Sequence, residues 1–335
     1  MTAGKAALWG GLGLLLVLLL AMPRLVSQYY LAVLISMAYA VILAYGFRLI
    51  WVAGRFTLGH AAFVGMGAYT SAILSSRWET SFWLGLLLGG VVAALIAAAV
   101  GSIVLRVPGV YFVIMSFAIA EVFRYYVQWH RGLTHGLAGI KNIASPAIAF
   151  PGLPRYDFGI DRVPYYYLSL FLMGVAVLVM YRMEHSRIGL ALHAMRQHDQ
   201  LTEHLGINLA YYRVLAFVTA SFFAGVAGVF QAHYMSYVSP LDFTIVQSLF
   251  VQVWAIVGGL ASPLGPALGV VVVVGISEGF RFSREFQPLI YGAILIFIVL
   301  FLPRGLVGLP SAISTQVTRL RAKVKGPRVQ PVQEG

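Results

Sequence analysis

Side chains able to do chemistry are sparse in this chain and gather in a few places. Thr57 and His60 stand in a run of small residues, Phe56-Thr57-Leu58-Gly59-His60-Ala61-Ala62-Phe63-Val64-Gly65-Met66-Gly67-Ala68-Tyr69. Four histidines, His185, His193, His198 and His204, share the stretch Glu184–Gly206 with Arg187, Arg196, Asp199 and Glu203. His193, His198 and His204 form no i, i+4 pair, so a helix would not present them as zinc ligands. Glu121 stands three before Arg124, and Glu278 three before Arg281. That spacing suits local ion pairs on a helix face, although an ionisable residue inside a membrane span raises a functional hypothesis by default. Cysteine is absent, which excludes a thiolate metal site, a disulfide framework and a cysteine nucleophile. The one Gly-Lys pair, Gly4-Lys5, is not followed by Ser or Thr, so no phosphate-binding loop of the G-x-x-x-x-G-K-[ST] type exists. No clustered His/Asp/Glu or nucleophile–base pattern argues for a membrane enzyme. The expectation is a protein with no catalytic residue, cofactor or metal, driven from outside itself if it is driven by nucleotide.

What must position these residues is a set of greasy helices. Of 335 residues, 60% are hydrophobic and only 10% charged, and mean hydropathy is +0.86. A soluble domain carries about 25% charged residues, so lipid is the expected solvent. A bilayer core takes about 20 apolar residues per helix. Ten spans are predicted, at 7–22, 30–47, 56–76, 82–105, 110–129, 164–181, 211–237, 243–258, 264–280 and 287–302. The third, eighth and ninth are short or glycine-rich, and are candidates for broken or re-entrant helices. Met1–Met22 has the layout of a signal peptide, but Pro23 follows directly with no A-x-A site, so a retained first span is expected.

The net charge of +12 invites a nucleic-acid reading, but the basic residues sit in loops, at span ends and in a tail, where membrane-facing charge explains them. With ten spans and a cytoplasmic N-terminus, the inside segments hold 14 of the 23 Lys and Arg and the outside ones 9. This puts both termini in the cytoplasm, with loop 182–210 inside and the proline-bearing loop 130–163 outside. The domain division is then a transmembrane unit over 1–308 and a basic, disordered cytoplasmic tail over 309–335.

Three small-residue segments have two readings each. In 56–69, Ala61 and Gly65 are four apart, which suits close helix packing. The alternative is a broken helix lining a solute path, with Thr57, Gly59, His60 and Gly65 along it. In 257–269, Gly258, Gly259, Gly265 and Pro266 interrupt two apolar runs. That is an ordinary cytoplasmic turn, or irregular backbone buried in protein or lining a wet cavity. Interrupted segments in the two halves of a transporter can mark a binding site near mid-depth. In 220–228, Ser221/Gly225 and Ala224/Gly228 are close-packing pairs. The inside loop is different. Ile188, Leu192 and Met195 form one stripe, Leu201 and Leu205 another, so a short amphipathic helix here would dock in a partner's groove or lie on lipid.

Taken together, these segments resemble one family. The chain is similar to inner-membrane permeases of bacterial ABC importers for branched-chain amino acids, nearer the longer of the two permease types, over roughly 28–308. Residues 56–63 resemble "FSLGHAAF", with Thr57 where Ser is usual. Val110-Tyr111-Phe112 with Glu121 resembles "GxYFAI…E". Gly189 to Gly206-Ile207 resembles "GRAxxAIRxNExxAxxxGI", with Arg196 in place, Leu190 where Arg is usual and His198-Asp199-Gln200 in the Asn-Glu region. Gly258-Gly259…Gly265-Pro266 resembles "GGxGSxxGP", with Ala261 for a Gly, and Pro303-Arg304-Gly305-Leu306 resembles the family's terminal "PRGL". In the outer loop His135 stands where Gly is common.

The resemblance implies an all-α helical bundle in the bacterial inner membrane, in contact with lipid and not with nucleic acid. It also implies ATP-binding ABC subunits, a second homologous permease subunit and a periplasmic or extracellular solute-binding protein as partners. It assigns coupling to the ATPases to the loop bearing Arg187, Gly189, Arg196, Glu203 and Gly206. Relatives also move urea, amides and aromatic acids, so fold does not fix cargo. The alternative from another class is a self-sufficient channel or ion-coupled carrier.

Overall fold

Apolar runs with glycine and alanine at their contact faces produce a bundle of closely approaching helices. A computed structural model describes residues 17–148, 156–279, 287–302 and 305–308. Helix is present at 17–25, followed by α1 (Gln28–Val52), α2 (His60–Trp78), α3 (Phe82–Val104), α4 (Gly109–Trp129), α5 (Arg162–Glu184), α6 (Arg187–Gln197), α7 (Asp199–His204), α8 (Leu209–Met235), α9 (Ile245–Gly258), α10 (Gly265–Gly279) and α11 (Gln287–Phe301). Residues 1–16, and with them 7–16 of the expected first span, lie outside the described residues, as do Arg281, Arg284, Pro303-Arg304 and the tail 309–335.

From the second expected span on, the spans and the observed helices agree to within about five residues. Among the described residues, six stretches are long and apolar enough to cross a membrane: Gln28–Val52, Phe82–Val104, Gly109–Trp129, Arg162–Glu184, Leu209–Met235 and Pro240–Gly258. The eighth expected span therefore reaches full length by starting at Pro240. The third, α2, is regular from His60 onward but less apolar. The 15 residues each of α10 and α11 rise about 22 Å, short of a hydrocarbon core of about 30 Å.

The centre is α8, which packs along α2 and α3, with α1 against its other side. Glycine makes this approach possible: a Cβ on Gly67 would overlap the Gly225 backbone, and one on Gly228 the Val64 carbonyl. Among the long apolar stretches named above, α1 and α8 are the most buried. Glu121 and Arg124 pair as their spacing predicts, Arg124 Nε donating to Glu121 Oε2 at 2.9 Å.

The end carrying loop 130–163 is ordered by short pairings. Strand β1 (Ile140–Lys141) runs antiparallel to β4 (Tyr237–Val238), and β2 (Ala147–Ile148) to β3 (Tyr156–Asp157). His233, in the last turn of α8, bridges this end: Nε2 lies 2.8 Å from Ser71 Oγ, and Nδ1 lies 2.6 Å from the Ala144 carbonyl. Trp83 Nε1 donates to the Ala147 carbonyl at 3.0 Å. Expected order in this loop is present, although Pro151 and Pro154 lie outside the described residues.

Candidate coupling and translocation elements

Residues 53–59 link α1 to α2 without regular structure, and their backbone groups are met by side chains. Helix α1 stops at a left-handed glycine. Gly54 (φ +75°) donates to Trp51 O at 2.9 Å and Arg55 to Ile50 O at 3.2 Å, the paired bonds of a Schellman C-cap. Leu58 N donates to Ser116 Oγ and Ala61 N to Ser248 Oγ, each at 3.0 Å. Gln252 Nε2 donates to the Thr57 carbonyl at 3.0 Å, and Gly59 N to Thr57 Oγ1 at 3.1 Å. Broken backbone is thus sheathed by α4 and α9, as low-dielectric surroundings require.

The small residues here have packing partners. A Cβ on Gly59 would come within 2.6 Å of the Ser116 carbonyl, and one on Gly65 within 2.6 Å of Phe123. His60 is 1% exposed. Its ring fits against Gly46, and neither ring nitrogen has a hydrogen-bond partner among the described residues.

Segment 257–269 is a tight helical hairpin. Gly258 and Gly269 let α9 and α10 meet backbone to backbone, since a Cβ on Gly269 would overlap the Trp254 carbonyl and one on Gly258 the Gly265 carbonyl. Gly259, at φ +108°, turns the chain, and Gly265 and Pro266 start α10. Gly305 abuts Gly258 and Gly259 from the other side. This turn sits at the 182–210 end of the bundle rather than at mid-depth, because Arg48 Nε donates to its Leu260 carbonyl at 3.0 Å. Segments 56–61 and 257–269 are connected through α9, whose Ser248 and Gln252 serve the first and whose C-terminus opens the second.

Arg48 is the node that sequence reasoning missed. Its guanidinium grips the Glu184 carboxylate through both terminal nitrogens, Nη2 at 2.7 Å from Oε1 and Nη1 against Oε2, with both side chains almost fully buried. His193 Nε2 on α6 lies 3.4 Å from the same carboxylate. Immediately beyond, Ser186 caps α6 by accepting from Ile188 N at 3.2 Å. A Cβ on Gly189 would overlap the Glu184 carbonyl, so glycine is needed where α6 folds back on α5. Arg196 stacks its guanidinium 3.1 Å from the centroid of Trp51, and a Cβ on Gly54 would meet the Arg196 Cα at 3.5 Å. Burial, then the neighbouring Arg48, lowers the Arg196 pKa, but a guanidinium stays charged regardless.

Helix α7 is pinned separately, by an ion pair between Asp199 and Arg213 of α8. Arg55 donates to the Leu105 carbonyl at 3.0 Å. Its pKa is lowered by burial first and then by Arg213. Arg187 and Glu203 are exposed, and Gly206 is a left-handed residue (φ +80°) at the end of the unit. Of the two apolar stripes expected on this loop, Leu192 and Met195 are buried against the chain's own bundle, with Ile188 half-buried. The outward apolar residues are Leu190 (72% exposed), Leu201 and Leu205 (72%). The first stripe is therefore an internal contact, and only the second remains for a partner. The signal for Arg48 in the sequence was a lone charge at the end of an apolar run; nothing local pointed to Glu184 as its partner.

The family described as branched-chain amino acid transport system, permease component, matches residues 29–299. The chain belongs to that family. Among curated relatives, the permease is 29% identical over 310 residues to the high-affinity branched-chain amino acid transport system permease protein LivM of Salmonella typhimurium, covering 87% of this chain and 73% of that one. The LivM protein of Escherichia coli gives 29% identity with the same coverage. LivH of Salmonella typhimurium is 25% identical, with 85% of this chain and 96% of that one covered. The permease is thus nearer LivM than LivH, as its motifs implied. No solved structure matches it. It is a membrane transport component and not an enzyme.

Proposed function

We propose that this permease is the LivM-like subunit of an ATP-driven importer that brings branched-chain amino acids into the cytoplasm. Its partners are two ATP-binding subunits, a LivH-like permease and an external solute-binding protein, and it resides in the bacterial inner membrane. Ten spans put both termini and loop 182–210 in the cytoplasm and loop 130–163 outside, with 309–335 a basic cytoplasmic tail.

One observation carries the coupling role. A helical unit outside the long helices, 187–204, is fixed to α1 directly by Arg196 on Trp51 and indirectly through Glu184 at the end of α5, which Arg48 grips and His193 approaches, while it leaves Leu190, Leu201 and Leu205 uncovered. A push on that exposed face would reach α1 and the Leu260 turn as a rigid displacement, because charge-assisted bidentate bonds resist shear. Arg187, Glu203 and Gly206 shape the face offered to the ATPase; Gly189 and Arg196 seat the unit on the bundle. In this reading Thr57, Gly59, His60 and Gly65, with the hairpin of Gly258, Gly259, Gly265 and Pro266, form the jointed inner part of the solute path. Both segments interrupt helices and both touch α9, so tilting of α9 moves them together.

The test is ATP-dependent uptake of leucine into vesicles carrying all subunits, with and without this chain. Uptake that needs the chain and hydrolysable ATP is expected. Equal uptake without it overturns the reading, and gradient-driven flux through the chain alone would support a self-sufficient carrier instead.

A further inference from the structure

Helix α1 carries more than the coupling contacts. Two to three turns from Arg48 it walls a cavity of about 220 Å³, enclosed also by α8, α9, α10 and α11. Its lining includes Ile35, Tyr39, Gln231, Tyr234, Trp254 and Tyr291, and none of its lining side chains is charged. The cavity lies towards the 130–163 end, since it takes in the last turn of α8, and exposed Ser36 and Met235 stand at its mouth. At this size it is below the 300–1,000 Å³ usual for drug-sized ligands.

Two polar atoms of its lining are unsatisfied. Among the described residues, the indole Nε1 of Trp254, which is 6% exposed, has no acceptor, and the Gln231 amide oxygen has no donor. Buried polar groups normally find partners, and an orphan signals a missing one. Here one orphan is a donor and the other an acceptor. The Tyr39 hydroxyl accepts from Gln247 Nε2 at 3.4 Å, which leaves its own proton to give. The complement of such a wall is a small molecule with an aliphatic body and a head that both donates and accepts hydrogen bonds.

We propose that this cavity is a solute subsite in the outer half of the permease, taking the aliphatic body of an amino acid while Gln231 and Trp254 meet its polar head. This rests on the importer reading and adds the place and chemistry of recognition. It also joins recognition to drive, because α1 holds Tyr39 at one level and Arg48 at another, about 14 Å along the same helix axis.

The experiment uses the complete reconstituted importer with one binding protein throughout, so that selectivity changes arise in this chain. Ala40 lines the cavity and is 1% exposed. Ala40→Val and Ala40→Leu narrow the space stepwise, and the ratio of leucine to valine uptake is measured by competition. Rejecting one methylene is worth tenfold or more, so the ratio should fall by about tenfold while valine uptake shows that the protein is folded. Gln231→Leu, of similar volume, should raise the KM for both solutes. A ratio that stays constant in the Ala40 series, with KM unmoved by Gln231→Leu, overturns the subsite and points to a lipid acyl chain as the occupant. Absence of ATP-driven uptake of either amino acid by the unsubstituted importer would instead overturn the importer reading itself.

Discussion

The two ends of this permease are held by different chemistry. At the 182–210 end, the long-range contacts include two ion pairs, Arg48 with Glu184 and Arg213 with Asp199, and a guanidinium, Arg196, on the face of Trp51. At the 130–163 end they are neutral or end on backbone. His233 joins Ser71 to the Ala144 carbonyl, β1 pairs with β4, and Arg77 and Arg162 donate to the carbonyls of Gly132 and Gln28. Ionic contacts are few, directional and costly to half-break, so the end they hold moves as a piece. The neutral end spreads its cohesion over many modest bonds and can yield locally. That contrast fits force entering at one end and a solute entering at the other.

The comparison predicts a ranking. Largest is Glu184→Ala, which strands the Arg48 guanidinium in a buried site and should cost about 3–5 kcal/mol, read by thermal unfolding of the purified complex. The double change Arg48→Met with Glu184→Met should recover most of that loss, because an apolar pair needs no desolvation repayment. A double variant as unstable as the single one would break the account of the ionic end. Next comes His233→Ala. It leaves Ser71 Oγ and the Ala144 carbonyl short of a partner and should cost about 1–3 kcal/mol, while solute moved per ATP hydrolysed stays constant. A changed stoichiometry there would erase the distinction between the ends.

Smaller in stability but larger in function is Arg196→Glu. Losing the stack on Trp51 should cost about 0.5–2 kcal/mol, and ATP hydrolysis should continue with uptake sharply reduced. Unchanged uptake removes Arg196 from the coupling role. Last are Glu203→Ala and Leu205→Ala, on the exposed face. Surface changes of this kind move stability by about 0.5 kcal/mol or less, so a clear fall in uptake would mark the face as a docking surface. Normal uptake in both variants would leave that face without a partner.

How much was legible depended on sequence distance. Helices α1 to α5 and α8 to α11 followed from apolar runs and turn residues, because the signal for a span is local. Gly65 was legible as a close-approach site and Gly258 as a break between apolar runs, but which neighbour each meets was not. The Ile188/Leu192/Met195 stripe was visible as an apolar face, yet the sequence could not say that the chain's own bundle covers it. Arg48 and Glu184 are 136 positions apart, and no periodicity links them.

By itself, then, the sequence settled the solvent, the helices and the family, since composition and short motifs are carried by neighbouring residues. Only the tertiary structure decided that a buried arginine ties the C-terminal end of α5 to the Leu260 turn, and that the same helix walls a small uncharged cavity. Both depend on which helix faces meet, and that is fixed by packing among five or more segments at once rather than by any one of them.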